Sequence, residues 1–241
     1  MQPTHGTFVW ADLSTFHLHQ TKKFYSQVFN WAYTVSDDQY CTAHKGTKQI
    51  SGLYEMPETF QKMNMPSFWM SYIQVDNVET TVAQAKSLNA IIELVEENPI
   101  GKIALIRDPL GAGFTVYEGN QLNARGQNQA DHMVWNELYV SDASQVKPFY
   151  EQLFGWTIQH DSNNRYDVFN ETKTPIAAIQ ETPEEIKGKY QYWGVFFGVN
   201  NLEITKQTII ENGGTLLYEE DNMSSLADPN GAFFQIANIA K

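Results

Sequence analysis

The chain has 241 residues, enough for one large domain or for two of ordinary size. Its net charge of −12 argues against nucleic acid and acidic lipid as partners, because binding phosphates requires clustered lysine and arginine. It contains no apolar run of the ~18 residues that a membrane helix needs. A single cysteine, Cys41, excludes an intramolecular disulfide and is typical of a reducing cytoplasm, where we expect the protein. The first residues show neither a basic leader nor an apolar run, so we expect no signal peptide.

Hydrophobic patterning predicts two successive βαβββ motifs in the first half of the chain. The first motif comprises a strand at residues 8–13, an amphipathic helix at 21–29, and strands near 31–35, 40–44 and 49–54. The second comprises a strand at 68–75, a helix that begins at Asp76 or Asn77 and runs through Leu88, and strands at 91–95, 102–106 and 113–117.

The second half repeats this order with one local conflict. Pro148 falls inside the helix that should carry Phe149, Tyr150 and Phe154. Proline has no backbone N–H to donate, and it is well tolerated only in the first turn of a helix. We therefore predict that this helix starts late, with Ser144 as the candidate N-cap.

An internal duplication accounts for the repeated order. All six tryptophans pair across the two halves, at offsets of 125, 125 and 124 residues: Trp10 with Trp135, Trp31 with Trp156, and Trp69 with Trp193. The turn Asp108-Pro-Leu-Gly111 meets Asp228-Pro-Asn-Gly231 at an offset of 120. Such small drifts are what loop insertions and deletions produce. We predict a first module at residues 1–122, a polar linker at 123–130 and a second module at 131–241.

Four features occur once in each half. They are a first-strand Trp-x-Asp/Glu-Leu, a helical Phe-Tyr followed by Val/Leu-Phe-x-Trp, a fifth-strand tryptophan, and the Asp-Pro-x-Gly turn before the last strand. Together they resemble tandem members of the vicinal-oxygen-chelate superfamily, which includes glyoxalase I, bleomycin-resistance proteins and extradiol dioxygenases. The resemblance implies an α+β fold in which the two βαβββ motifs of each module form a U-shaped, eight-stranded mixed sheet around a cavity.

The resemblance also implies where metal-using members hold their ion, on the inner face of the first, fourth, fifth and eighth strands of a module. The corresponding residues here are Trp10, Gly52, Met70 and Thr115 in the first module, and Trp135, Ala178, Gly194 and Gln235 in the second. A catalytic divalent ion needs about three donors such as imidazole, carboxylate or thiolate. None of the eight side chains is such a donor, so we expect neither a metal nor another cofactor.

The candidate ligand-binding residues share this inner face. They are Trp10, Trp135, Met70, Tyr72, Thr115, Tyr192 and Gln235. The two first-strand tryptophans would form a stacking wall for a planar or apolar ligand, or simply pack in the core. Asp12 and Glu137 lie two residues further along those strands, so each is a candidate catalytic base or a solvated carboxylate at the cavity rim. Trp69 and Trp193 have the opposite parity and are expected to pack under the helices.

Three functions follow from these residues. The first is a protein similar to the bleomycin-resistance members that binds a small organic molecule in an aromatic-lined cavity without a metal. The second is a metal-independent isomerase or lyase that uses Asp12 or Glu137. The third is a metal-dependent lyase or dioxygenase whose ligands lie elsewhere. The expected partner is a small molecule, and the chain would be either a monomer with pseudo-twofold modules or a homodimer.

Overall fold

The computed structural model describes residues 3–35, 40–62, 65–126, 128–161 and 164–239. Residue 127 of the predicted linker lies outside these ranges. The described residues form an α+β protein with strands β1 to β16 and helices α1 to α6. In these same ranges, no helix is both long enough and apolar enough to cross a membrane.

The elements follow the predicted order in both halves. In the first half they are β1 Phe8–Thr15, α1 Leu18–Phe29, β2 Ala32–Val35, β3 Tyr40–Lys45, β4 Lys48–Glu55, α2 Glu58–Lys62, β5 Phe68–Gln74, α3 Val78–Ser87, β6 Ile91–Asn98, β7 Gly101–Arg107 and β8 Gly113–Glu118. In the second half they are β9 Met133–Val140, α4 Lys147–Phe154, β10 Thr157–His160, β11 Arg165–Phe169, β12 Pro175–Glu181, α5 Glu184–Lys187, β13 Tyr192–Val199, α6 Leu202–Glu211, β14 Thr215–Glu220, β15 Met223–Ala227 and β16 Phe233–Asn238.

Each half forms its own eight-stranded sheet. The strand orders are β2-β3-β4-β1-β5-β8-β7-β6 and β10-β11-β12-β9-β13-β16-β15-β14. In both sheets the first strand of a βαβββ motif pairs in parallel with the last, while the hairpin neighbours run antiparallel. The two sheets have the same topology, which confirms a fold of two tandem modules. The residue boundaries of the modules and the linker stay predictions.

The two long helices with predicted start signals begin close to where the sequence placed them. Asn77 caps α3, its side chain accepting a hydrogen bond from the backbone N–H of Thr80 at 2.8 Å. The late start of α4 is confirmed, because α4 begins at Lys147 and holds Pro148 in its first turn. Ser144 as N-cap was wrong. It lies instead in a 3-10 turn, Ala143–Gln145, whose N-cap is Asp142. This turn occupies the segment just before α4.

The short helices α2 and α5 were not predicted. They span five and four residues. A helix of one turn shows too few residues for a 3.6-residue period to be read from sequence.

The contacts of the chain divide it into two compact units that cut across the two sheets. The first compact unit comprises Met1–Val9, Ser71–Asn123 and Trp135–Gly194. The second comprises Trp10–Met70, Ala124–Val134 and Val195–Lys241. Each compact unit therefore draws most of one βαβββ motif from each half of the chain.

An aromatic core with a buried aspartate lies in each compact unit. In the first, Trp193 donates from Nε1 to the Tyr150 hydroxyl at 2.9 Å, and that hydroxyl donates to Asp108 at 3.0 Å. In the second, Trp69 donates to the Tyr25 hydroxyl at 3.2 Å, and Tyr25 donates to Asp228 at 3.4 Å. The expectation that Trp69 and Trp193 pack in the core is confirmed.

Candidate functional site

Asp12 occupies the face of the first sheet that also carries Trp10, here called the inner face of that sheet. Its Oδ1 accepts hydrogen bonds from Trp10 Nε1 at 2.7 Å and from the Tyr40 hydroxyl at 3.1 Å. Asp12 is 5% exposed. The interpretation of this residue as a solvated carboxylate at a rim was wrong, because the strand places it beneath two aromatic side chains that hydrogen-bond to it.

Gly52 makes room for this arrangement. It lies directly opposite Asp12 in the parallel β1–β4 pair. A Cβ atom at Gly52 would stand 2.0 Å from the Tyr40 hydroxyl oxygen and 2.1 Å from Asp12 Oδ1. Gly52 thus lies on the inner face, as inferred from the resemblance, and the space that a side chain would occupy there holds the Asp12–Tyr40 hydrogen bond.

Glu137 occupies the equivalent place on the inner face of the second sheet, the face that carries Trp135. Its Oε1 accepts from Trp135 Nε1 at 3.2 Å and from Arg165 Nη1 at 2.6 Å, and its Oε2 accepts from the Tyr139 hydroxyl at 3.1 Å. The Tyr139 ring stacks on Tyr192 at 5.2 Å between centroids. Glu137 is also buried, so the rim interpretation was wrong here too.

Tyr40 and Arg165 hold equivalent positions, 125 residues apart, at the start of the third strand of each module. One presents a phenol to the first-strand carboxylate and the other a guanidinium. Burial, with Asp12 nearby, raises the pKa of Tyr40 above its ordinary value, so the phenol remains a donor. Burial lowers the pKa of Arg165, but the charge and the hydrogen bond of Glu137, together with the charge of Asp167, outweigh it, and the net pKa is raised.

The last four strands of each sheet carry a row of in-register neighbours on the inner face. In the first sheet this row is Tyr72, Thr115, Leu105 and Leu94. In the second it is Phe196, Gln235, Ser225 and Tyr218. Side chains directly opposite one another on neighbouring strands share a face and contact each other. The predicted residues Tyr72 and Thr115 are therefore neighbours. Gln235 lies beside Phe196, which was not among the predicted ligand-binding residues.

The predicted residues thus fall into separate groups. Hydrogen bonds join Trp10 to Asp12 and Trp135 to Glu137, and Tyr139 links Glu137 to Tyr192. Met70 is half-buried on β5.

Three side chains that hydrogen-bond to the candidate carboxylates were not predicted: Tyr40, Tyr139 and Arg165. The repeat offset relates Tyr40 to Arg165, and strand parity places Tyr139 on the face of Glu137. The register of the third strand cannot be read from the sequence. That register is what brings Tyr40 and Arg165 within hydrogen-bond distance of the carboxylates.

The residues at the eight positions that the resemblance implies for a metal do not fit a divalent ion. They supply indoles, a thioether, a hydroxyl, an amide and no carboxylate, imidazole or thiolate. Across the parts of the chain that the structure describes, no three His, Cys, Asp or Glu side chains lie close enough together to hold a metal. Asp12 and Glu137 are instead held by indole, phenol and guanidinium donors.

Comparison with known proteins places the chain among glyoxalase-like folds. A family model described as a glyoxalase-like domain matches residues 133–237. “Putative glyoxylase CFP32” of Mycobacterium bovis is 26% identical over 98% of this chain and 95% of its own length. “Anthracycline biosynthesis protein DauV” of Streptomyces sp. strain C5 is 23% identical over 97% of this chain and 94% of its own.

Solved structures share the fold at low sequence identity. The Mn(II)-bound glyoxalase from Novosphingobium aromaticivorans superposes with a TM-score of 0.70 at 11% identity, covering 99% of this chain and 83% of that one. Homoprotocatechuate 2,3-dioxygenase from Brevibacterium fuscum superposes with a TM-score of 0.69 at 13% identity, covering 98% and 81%. With the glyoxalase-like match over residues 133–237 and the duplicated eight-stranded sheets, these likenesses show that the chain shares the fold of these glyoxalase and dioxygenase structures.

Proposed function

We propose that the chain binds a small planar organic molecule on the inner face of its sheets without a catalytic metal. One observation carries this proposal. On the face where metal-using relatives hold their ion, each sheet has an indole hydrogen-bonded to a buried carboxylate. Such a bond fixes the orientation of the ring, and a fixed aromatic ring contacts a ligand at little entropic cost.

The second sheet offers the more accessible of the two indoles. Trp10 is 2% exposed, whereas Trp135 is only half-buried and lies near the stacked pair Tyr139 and Tyr192. Burying ~100 Å² of apolar ligand area contributes about 2–3 kcal/mol. An offset-stacked indole adds ~0.5–1.5 kcal/mol. After the costs of association, we expect an affinity in the micromolar range, tighter at Trp135 than at Trp10.

The names of two relatives support a small organic ligand. DauV and DnrV are each named an anthracycline biosynthesis protein. The charge of the sites also bears on ligand choice. Arg165 pairs with Glu137, while Tyr40 is a neutral donor to Asp12, so we expect the first sheet to favour neutral or cationic ligands over anions.

The test is calorimetric titration of the full chain with a panel of planar aromatic compounds. Trp135→Leu should weaken binding by about tenfold, or ~1.4 kcal/mol, because it removes the stacking ring. Trp135→Phe should weaken it less, because an aromatic ring remains. Tyr190→Ala, at a 51% exposed position just before β13, is the control and should bind like the wild type.

Two results would contradict the proposal. One is binding that survives loss of both Trp10 and Trp135. The other is a stoichiometric metal in protein purified without chelator, which would revive a metal-dependent lyase or dioxygenase.

A metal-independent isomerase or lyase is the second candidate. Tyr40 at the position of Arg165 favours it, because a carboxylate that faces a phenol is a better base than one that faces a guanidinium. Turnover of any compound in the panel that Asp12→Asn abolishes, while Glu137→Gln preserves it, would establish this candidate.

A further inference from the structure

A row of four side chains crosses the last four strands of the second sheet on its inner face. Phe196 on β13, Gln235 on β16, Ser225 on β15 and Tyr218 on β14 are successive in-register neighbours. All four belong to the second compact unit. Neighbouring strands lie ~4.8 Å apart, so the row is about 14 Å long, enough for a molecule of two or three fused rings.

Gln235 sits in this row with an unsatisfied acceptor. Its flanking residues Phe234 and Ile236 are fully buried, and the Phe234 ring lies 5.7 Å from that of Tyr25 in the aromatic core. Strand alternation therefore directs Gln235 to the opposite, inner face. The residue is 2% exposed, and within the described ranges its Oε1 has no hydrogen-bond partner. A buried acceptor without a donor destabilises the folded protein, so its presence calls for an explanation.

Aromatic side chains lie on the same face as this acceptor. Phe196 is buried directly beside it, while Phe233, two residues earlier on the same face of β16, is 44% exposed. Tyr218 is 54% exposed at the far end of the row. A β-bulge between Leu216 and Tyr218 sets Tyr218 opposite Ser225. Bulges of this kind re-aim a side chain and recur beside binding sites.

The first sheet lacks this polar centre. Its equivalent row has Thr115 in place of Gln235, and Leu105 and Leu94 in place of Ser225 and Tyr218. A donor on a ligand would therefore find the amide acceptor only in the row of the second sheet.

We propose that Phe196, Gln235, Ser225 and Tyr218 form a subsite for a planar aromatic molecule that carries a hydroxyl or N–H group, which donates to Gln235 Oε1. This rests on the proposed function and specifies its ligand class: aromatic hydrogen-bond donors. It also makes Gln235 the residue that distinguishes a donor ligand from its methylated analogue.

The experiment compares 2-naphthol with 2-methoxynaphthalene, which has the same rings but no donor, by calorimetric titration of the full chain. The wild type should bind 2-naphthol about fivefold more tightly, the effect of one neutral hydrogen bond. Gln235→Met keeps a side chain of similar size without the acceptor and should equalise the two affinities. Gln207→Met, the same change at an exposed position on α6, should leave the preference intact.

A melting curve without ligand gives an independent readout. Gln235→Met should melt at a higher temperature than the wild type, because it removes the unsatisfied acceptor. Gln235→Leu is a second variant with the same two expectations. A lower melting temperature in both variants would show a structural glutamine and overturn the subsite.

Three binding results would also overturn it: equal affinities in the wild type, a preference that survives Gln235→Met, or no binding of either compound. Equal affinities that Trp135→Leu weakens together would overturn the subsite while leaving the proposed function standing.

Discussion

Asp108 closes the first Asp-Pro-x-Gly turn from within the core of the first compact unit. Its Oδ1 accepts from the backbone N–H groups of Leu110 and Ala112, both at 2.9 Å, and its Oδ2 accepts from Tyr150. Burial raises the pKa of this carboxyl to about 6, against the pull of these hydrogen bonds in the other direction. The turn is therefore held by a carboxyl group whose ionised form is destabilised by burial.

This raised pKa predicts a pH dependence of stability. The ordinary pKa of the carboxyl is 3.8, so the folded state binds its proton more tightly than the unfolded state does. Its stabilising contribution is fully present below about pH 4 and is lost as the pH rises through about 6. We expect the free energy of unfolding of the wild type to fall by about 1–3 kcal/mol relative to Asp108→Asn between these limits.

Urea unfolding at stepped pH measures this difference. Asp142→Asn is the control, because hydrogen bonds from Gln145 and Ser144 hold the pKa of the Asp142 carboxyl below its ordinary value. Its contribution should therefore have the opposite sign and be lost as the pH falls. A difference between wild type and Asp108→Asn that stays flat, or rises with pH, would rule out the raised pKa.

At the scale of the element, β4 needs a glycine at position 52, because side chains from the neighbouring strands β1 and β3 meet there. Gly52→Ala would set a methyl group against the Tyr40 hydroxyl and Asp12 Oδ1, as the short Cβ distances of 2.0 and 2.1 Å indicate. Overpacking of this kind costs about 1–3 kcal/mol. We expect the substitution to lower the melting temperature and to break the Asp12–Tyr40 hydrogen bond.

A double-mutant cycle tests the cause. Tyr40→Phe removes the clashing hydroxyl, so Gly52→Ala should cost less in that background than in the wild type. Ala178→Gly is the matched change in the second sheet, where Ala178 faces Glu137 without a glycine. It should cost only ~0.5–1 kcal/mol, the conformational effect of glycine. Additive effects of Gly52→Ala and Tyr40→Phe would refute the steric explanation.

The elements themselves could be predicted because their signals are local. Short apolar and aromatic runs located the long strands, and the proline rule located the start of α4. The predicted ends fell short by one to three residues at several strands, as at β1 and β6, because polar residues continue those strands past the apolar run. Pairing register depends on bulges, such as the one between Ala43 and His44, that leave no mark in the sequence.

The candidate site was predicted in part for the same reason. Trp10, Asp12, Trp135 and Glu137 share a strand face by simple alternation, and the structure places each pair in hydrogen-bond contact. Two further partners of the carboxylates, Tyr40 and Arg165, come from other strands, β3 and β11. Their roles depend on register and on burial, neither of which alternation determines.

At the scale of the whole molecule, the halves of the sequence and the compact units do not coincide. Tyr150 of the second half donates to Asp108 of the first, and Tyr25 of the first half donates to Asp228 of the second. Trp156 Nε1 donates to the backbone carbonyl of Gly6 at 3.0 Å. Each compact unit is therefore built from contacts that neither half supplies alone.

This arrangement predicts the behaviour of separated halves. Expressed as residues 1–126 and 127–241, each fragment would lack one side of both aromatic cores. We expect each alone to aggregate or to melt without cooperativity, and the two together to associate one to one and recover a cooperative transition. Light scattering and calorimetry measure both properties. An intact chain with a lengthened Gly-Ser linker is the control and should melt like the wild type.

Monomeric fragments that each melt cooperatively near the wild-type temperature would contradict this prediction. They would show that one half of the sequence completes an aromatic core by itself.

In each compact unit, a tyrosine of one half donates a hydrogen bond to an aspartate of the other half, and this has a genetic consequence. A duplicated gene can normally lose one copy once the other suffices. Here, deletion of either copy would remove the partner of Tyr25 or of Tyr150, together with the fold of the surviving half. We therefore expect both copies to be retained for structural reasons, which would allow the two inner faces to diverge independently. Tyr40 and Arg165, and Thr115 and Gln235, are differences of the kind that such freedom allows to accumulate.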